Sequence, residues 1–248
     1  MASSTHLRKG GPPFRPGGVT RSDLDIPSRV NALMDSPAFA QNTPPRVLLV
    51  GAGGIGSHLT DLLCRGLHGH GLDLTLMDGD VVEERNLAHQ RFPKWSIGRP
   101  KTDVLAQRHG SEEHTLTAVA ENLRTADQLS GYDLIVVAVD RPEPRRLVHA
   151  TDVPWIDLRS TGRGMLVLTH LDAPEHIASQ TPDHAPASCQ AEGVLEAGFV
   201  QVGFALAAAV GAQWVIDHVV HGRSPAKAMM MDAAYGGLSF GPLPEVKA

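Results

Sequence analysis

The chain predicts an α/β fold, a doubly wound and mostly parallel sheet with a C-terminal extension, on three observations. The run Arg46-Val47-Leu48-Leu49-Val50 is short, aliphatic and β-branched, as a strand buried on both faces should be. It leads directly into Gly51-Ala52-Gly53-Gly54-Ile55-Gly56, after which Leu59, Leu62, Leu63 and Gly66 recur at i, i+3, i+4 and i+7, one face of a helix. A second apolar run, Leu72 to Met77, ends at Asp78, 22 residues after Gly56. An acid at a spacing of ~20 residues is where such folds bind a ribose hydroxyl. Strand, glycine turn and helix together are the context that a nucleotide-binding G-x-G-x-x-G turn requires, and the fold class they define is Rossmann-like. Gly51 permits the tight turn, Gly53 and Gly54 leave bare backbone for a phosphate, and Gly56 allows close packing of helix and strand.

The remaining elements follow in order. Residues 1 to 44 read as an N-terminal arm, rich at first in glycine, proline and arginine and expected to be partly disordered. A helix is expected within Asp25 to Ala40, where Val30, Leu33 and Met34 fall at helical spacing, and Asn42-Thr43-Pro44-Pro45 ends it. Residues 45 to 248 form the main domain. Lys101 to His109 reads as a helix, Leu116 to Ala120 as a strand, and Leu134 to Val139 as a buried strand ending at Asp140. Residues just past strand carboxyl ends line the ligand crevice of open α/β sheets, so Asp140 is a site candidate by position. Trp155 to Leu158 and Gly164 to Thr169 read as strands on either side of an arginine-bearing turn. Asp172 to Ser188 reads as a surface loop, Val194 to about Val220 as a long helix, and Met229–Asp232 with Gly236–Phe240 as a final strand pair.

Composition excludes several classes. A net charge of −5 over 248 residues, with arginines scattered, provides no basic stripe for nucleic acid. Two cysteines, Cys64 and Cys189, make neither a disulfide framework nor a thiolate zinc site, so a reducing cytoplasm is expected. The N-terminus has no apolar h-region of a secretory signal. Gly198 to Ile216 is uncharged over 19 positions but holds Gln201 and Gln213 between flanking Glu196 and Asp217. It reads as a buried helix of the core or of a subunit interface, with no membrane span.

The segment after Asp78 narrows the choice of nucleotide. Gly51-x-Gly53-Gly54-x-Gly56, Asp78-x-Asp80-x-Val82-Glu83, Asn86-Leu87-x-x-Gln90, Lys101, Asp140 and Cys189-x-x-x-Gly193-Val194 stand in one order along the chain. This series resembles the ThiF/MoeB family, relatives of the ubiquitin-activating enzymes, and the resemblance runs from about Val47 to Val220. It implies adenylation of a carboxylate: ATP is attacked at its α-phosphorus, pyrophosphate leaves and an acyl-adenylate remains. The carboxylate would be the C-terminal glycine of a small carrier protein ending in Gly-Gly, or a peptide carboxylate. The resemblance implies ATP and Mg²⁺ as cofactors, with Asp140 as the metal's carboxylate. It also implies Lys101, Asn86 and Gln90 on phosphate oxygens, Asp78 with Asp80 at the ribose side, and a homodimer. A carboxylate already ionised at neutral pH needs no general base.

The series also departs from the family pattern. His89 stands where N-L-x-R-Q carries arginine, and an imidazole is mostly neutral at pH 7 where a guanidinium is always charged. Arg91 is a possible substitute, although neighbouring side chains point different ways. Paired C-x-x-C motifs are absent and His170, His176, His184 and Cys189 are irregularly spaced, so no zinc is expected. Arg15, Arg21 and Arg29 compete for the place of an arginine that relatives supply to a partner subunit. Cys189 aligns with a cysteine that links covalently to the carrier in some members, whereas Cys64 falls beside the apolar face of the first helix. Two rival classes remain: an NAD-dependent oxidoreductase, which the fold and Asp78 alone would satisfy, and a degenerate member that binds nucleotide without turnover.

Overall fold

The computed structural model describes residues 44–183, 189–223, 228–233 and 238–239. The chain divides into two units, Met1–Pro37 and Ala38–Ala248; the first, with most of the expected arm and its helix, lies outside the described residues. The second is built on an eight-stranded sheet in the order β3-β2-β1-β4-β5-β6-β7-β8. Its strands are β1 (Arg46–Val50), β2 (Leu72–Met77), β3 (His114–Val119), β4 (Leu134–Val137), β5 (Trp155–Thr161), β6 (Gly164–Thr169), β7 (Met229–Asp232) and β8 (Leu238–Ser239). The first five run parallel and the last three antiparallel. Sequence order reverses between β1 and β4, the topological switch point at which such sheets bind ligands.

Both faces of the parallel half are covered, which is why its strands are continuous apolar runs. Val47, Leu49, Leu74, Leu76 and Val136 point into one core. It is closed by α1 (Gly54–Gly66), α2 (Lys101–His109) and the later helix α5 (Gly203–His221). Leu48, Val50, Ile135 and Val137 point into the other, with Val148 of α3 (Pro142–His149). A fifth helix, α4, covers Pro174–Ser179.

Register fixes where the strands end. Val50 pairs with both Met77 and Val137, and Met77 pairs with Val119. Four carboxyl ends therefore stop at one level, and the residues that follow them share one edge.

Three expectations change. The long helix begins at Gly203, not near Val194. Residues 189–202 turn instead, because the Gln190 and Gln201 amides bridge that stretch: Gln190 Nε2 donates to the Gln201 carbonyl and the Gln201 N–H to Gln190 Oε1, each at 2.8 Å. The loop after Asp172 contains α4, and Asp172 itself is buried, accepting the Thr169 N–H at 2.7 Å and the Ala228 N–H at 2.8 Å. Finally, β5 runs on to Thr161, since its pairing with β6 extends to Thr161 opposite Gly164.

Helix α5 is long and apolar enough to cross a membrane by length and composition. It buries Phe204, Ala207, Gly211, Val215 and Val219 and packs on α1, β5 and β6, as a core helix does. A β-carbon on Gly211 would press on the methyl groups of Leu158, so the glycine lets α5 lie close on β5.

Candidate functional site

The glycine turn joins β1 to α1 at the switch point. Gly51 has φ +102° and its N–H donates to the Met77 carbonyl at 2.9 Å. A β-carbon at Gly51 would stand 2.6 Å from the Ala138 carbonyl oxygen, so the turn nests against the end of β4. A β-carbon on Gly56 would run into the Gly51 carbonyl and lie 3.7 Å from Leu49 Cδ2 of β1, so the glycine lets helix and strand end pack closely. Gly53 has nothing within 4 Å of where a side chain would begin. The N–H groups of the first helical turn have no carbonyl four residues back, so this open space faces backbone donors suited to an anion.

Asp78 closes the turn from β2. Its Oδ2 accepts the Ala52 N–H at 2.6 Å and its Oδ1 accepts the Asp80 N–H at 2.8 Å. Burial pushes its carboxyl above the ordinary carboxylate value, against the pull of Lys101 and those two N–H groups. Each carboxylate oxygen retains a second lone pair for a ribose hydroxyl. Lys101, at the start of α2, is buried to 6% exposure and donates from Nζ to Asp80 Oδ2 at 2.8 Å. Its backbone N–H donates to the Asp80 carbonyl at 3.0 Å. The Asp80 side chain is 68% exposed, so a buried cation is held by a solvated anion that an incoming polyanion can displace.

Asn86 and Gln90 lie on the segment between β2 and α2. Asn86 caps the 3-10 turn Glu84–Ala88: its Oδ1 accepts the Glu83 N–H at 2.8 Å, and its own N–H is met by the Glu83 side chain. That reciprocal box gives the asparagine a local structural role. The Gln90 N–H donates to the Asn86 carbonyl at 2.8 Å, while Gln90 Oε1 is buried without a hydrogen-bond partner among the described residues. His89, 8% exposed, brings its ring to the turn: a β-carbon on Gly54 would lie 3.6 Å from His89 Cδ2. Arg91 does not replace the absent arginine. Its guanidinium donates to Asp61 Oδ2 at 3.1 Å and its N–H to Ser57 Oγ at 3.1 Å, which commits it to the flank of α1.

Cys189 roofs the same place, with Sγ 3.0 Å from a β-carbon built on Gly54. Burial raises its thiol above the ordinary value, and the charge of Asp140 adds to this. These are surroundings that suppress a thiolate. Burial pushes the Cys64 thiol up to about 11, as expected of a cysteine facing the core.

Asp140 is exposed just beyond β4. The backbone leading into it is fixed by Arg145, which donates to the Val139 carbonyl and to Asp157. Asp157 is wholly buried; it also accepts from His149 Nε2 at 3.0 Å and from Arg159 Nη2 at 2.6 Å. Burial alone would raise the Asp157 carboxyl, but Arg145, His149 and Arg159 outweigh it and hold the group below the usual carboxylate range. Arg159, in the stretch that the sequence suggested was an arginine-bearing turn, lies in β5 and is tied down, donating also to Thr181 Oγ1 at 2.8 Å. Sequence reasoning passed over this cluster, although an aspartate inside the apolar strand Trp155-Ile156-Asp157-Leu158 was its signal, since such a charge must be paired.

Gly51 to Gly56, Asp78, Asp80, Lys101 and Cys189 are therefore in one connected site, Gln90 joins it through His89, and Asp140 acts on Cys189 by charge. The fold and this edge define a nucleotide-binding α/β domain that receives its ligand at the switch point. The chain belongs to the ThiF family, whose model matches residues 38–234.

Among its relatives, the adenylyltransferase and sulfurtransferase UBA4 of Yarrowia lipolytica is 33% identical over 113 residues, 44% of this chain and 28% of that protein. The ATP-dependent ubiquitin transferase-like protein Cap2 of Vibrio cholerae is 30% identical over 152 residues, 59% of this chain and 26% of its own length. The chain thus matches between a quarter and a third of each of these relatives. In fold it is similar to E. coli MccB crystallised with ATP, with a TM-score of 0.57, 20% identity, and coverage of 76% of this chain and 60% of that one. It is also similar to PaaA, with a TM-score of 0.56, 14% identity, and coverage of 92% and 75%.

Proposed function

We propose that this chain is an adenylyltransferase that joins a carboxylate to AMP at the expense of ATP. The observation that supports the reading most is the convergence of three features at one sheet edge. These are the open face of Gly53, the buried Lys101 paired with a solvated Asp80, and the exposed Asp140. An oxidoreductase would use the glycine turn and Asp78 but gives Lys101 and Asp140 no task.

In this reading the first-turn N–H groups and Lys101 receive the triphosphate, and Lys101 exchanges Asp80 for phosphate oxygen. Asp78 orients the ribose. Asp140 would hold Mg²⁺, which supplies charge neutralisation between phosphate oxygens; its exposure and its Arg145-fixed backbone fit that task. A carboxylate oxygen of the substrate attacks the α-phosphorus as the bond to the pyrophosphate oxygen breaks, and pyrophosphate departs with that electron pair. Proximity and charge compensation then account for the chemistry, without a protein base.

The acid is read as the C-terminal glycine of a small carrier protein or a short peptide. This agrees with the relative named a ubiquitin transferase-like protein and with the structure of MccB bound to MccA. The protein is further read as a cytoplasmic homodimer, in which exposed Leu62, Phe199 and Val202 near α5 would be covered.

Carboxylate-dependent exchange of labelled pyrophosphate into ATP tests the assignment. Asp140→Ala is expected to lower exchange at least about 100-fold, the scale of removing one electrostatic stabiliser, with an unchanged unfolding curve. Full exchange by the variant would remove Asp140 from the reaction.

A further inference from the structure

Asp157 carries a charge in the middle of a strand where an apolar side chain would serve the core. It is wholly buried and stands in register with Val137 at the end of β4. Arg145 of α3 and Arg159 of its own strand donate to it, the second from Nε at 3.0 Å and Nη2 at 2.6 Å, and His149 Nε2 lies 3.0 Å away. Stability alone does not call for such a group, since a buried ion pair is often no better than apolar residues of similar volume.

Arg145 shows what the charge is for. It is 6% exposed and spans two acceptors: one guanidinium nitrogen donates to Asp157, the other to the Val139 carbonyl, in the peptide group that joins Val139 to Asp140. Asp140 is exposed and close enough to act on Arg145 by charge. Arg145 thus has two acids within its reach, one in the interior and one at the surface. At the interior one, two guanidiniums already share a single carboxylate. Without the Asp157 charge, both would be left uncompensated. The planar fork of Arg145, which matches a carboxylate in bidentate fashion, would then be drawn to Asp140 and cover the oxygens that a cation needs.

We propose that Asp157 is a positioning residue for the cation site at Asp140: it holds Arg145 on itself and on the Val139 carbonyl, keeps that guanidinium off the Asp140 carboxylate, and so fixes the backbone that carries Asp140. This rests on the adenylation reading above, in which Asp140 holds Mg²⁺. A buried acid that touches neither nucleotide nor metal thereby sets how strongly Mg²⁺ tightens ATP binding. Arg159, the other arginine on Asp157, reaches instead to the Gln180 carbonyl and Thr181 Oγ1, so its loss leaves the Arg145 link in place.

Calorimetric titration with ATP, with and without saturating Mg²⁺, reads the effect directly. In the native chain Mg²⁺ is expected to tighten ATP binding about tenfold or more, within the usual range of coupling between two ligands, and Asp140→Ala to abolish that gain. Asp157→Asn should lose most of the gain yet bind metal-free ATP at least as tightly as the native chain, because the uncompensated guanidinium charge favours a polyanion. General damage to the fold would weaken both. Arg145→Lys keeps a cation opposite Asp157 but replaces the fork that spans two acceptors by a point charge. It should lose the gain as well, and it carries the test should Asp157→Asn not fold. Arg159→Gln should keep the gain. Full gain in either Asp157→Asn or Arg145→Lys, or an equal loss in Arg159→Gln, overturns the role of Asp157 and leaves the adenylation reading standing. No gain in the native chain, or full gain in Asp140→Ala, overturns the assignment of Mg²⁺ to Asp140, and this inference with it.

Discussion

Two charged regions lie at the carboxyl edge of the same sheet and are finished in opposite ways. Beneath β4 and β5, Asp157 is surrounded by Arg145, His149 and Arg159, and its carboxylate is compensated from several sides. At the glycine turn, the polar groups are left incomplete. His89 Nδ1 and Gln90 Oε1 have no hydrogen-bond partner among the described residues, Lys101 leans on a solvated aspartate, and Asp140 stands exposed. Burying a charge without compensation is costly, so a saturated cluster builds the scaffold. Incomplete satisfaction next to bare backbone marks where a ligand completes the structure. Through Arg145, which spans Asp157 and the Val139 carbonyl, the saturated region fixes the backbone of the incomplete one.

The largest effect that separates them is on stability. Asp157→Asn leaves two arginines buried around a neutral amide and should cost about 3–5 kcal/mol, the scale of a broken buried pair, read from urea unfolding. The pH dependence has a definite sign. The Asp157 carboxyl is depressed in the folded state, so its contribution is complete above the ordinary unfolded value near ~3.9 and is lost as pH falls through the lower folded value. The native chain should therefore lose more stability than the variant between pH 5 and the acid limit, whereas parallel curves would show that the cluster is not an ionised one.

An intermediate effect belongs to the turn. Gly53→Ala adds a methyl group where nothing stands within 4 Å, so unfolding should change by only about 0.5 kcal/mol, as for an open surface site. The same methyl group enters the space reserved for phosphate and should weaken ATP binding at least about tenfold, or ~1.4 kcal/mol. Equal ATP affinity would place the nucleotide elsewhere. The smallest effect is expected at Cys189. Its raised thiol predicts slow alkylation at pH 8 and pyrophosphate exchange in Cys189→Ala close to the native rate. Rapid labelling would assign this cysteine the reactivity that its surroundings argue against.

What was legible in the sequence follows the same division. The parallel strands, α1, α2 and the final strand pair could be read because local signals sufficed: doubly buried apolar runs, helical spacing and a glycine turn. The site residues that lie on these elements, Gly51 to Gly56, Asp78, Asp80 and Lys101, fell together for that reason. The start of α5 was misplaced because the Gln190–Gln201 amide bridges form only in the folded chain, while the local composition favours helix throughout. The roles of Arg159 and Arg91 could not be read for the same reason: their partners, Asp157 and Asp61, come from contacts that spacing does not encode. Asn86 was read as a ligand through its motif; that its oxygen also caps the 3-10 turn is a local role the motif does not announce.

Titration of the native chain with ATP and Mg²⁺, set against NAD under the same conditions, measures the central claim most directly. Saturable heat from ATP at one site per chain, with none from NAD, is the result predicted for a crevice shaped around Gly53, Lys101 and Asp140. Saturable binding of NAD with no response to ATP would contradict it.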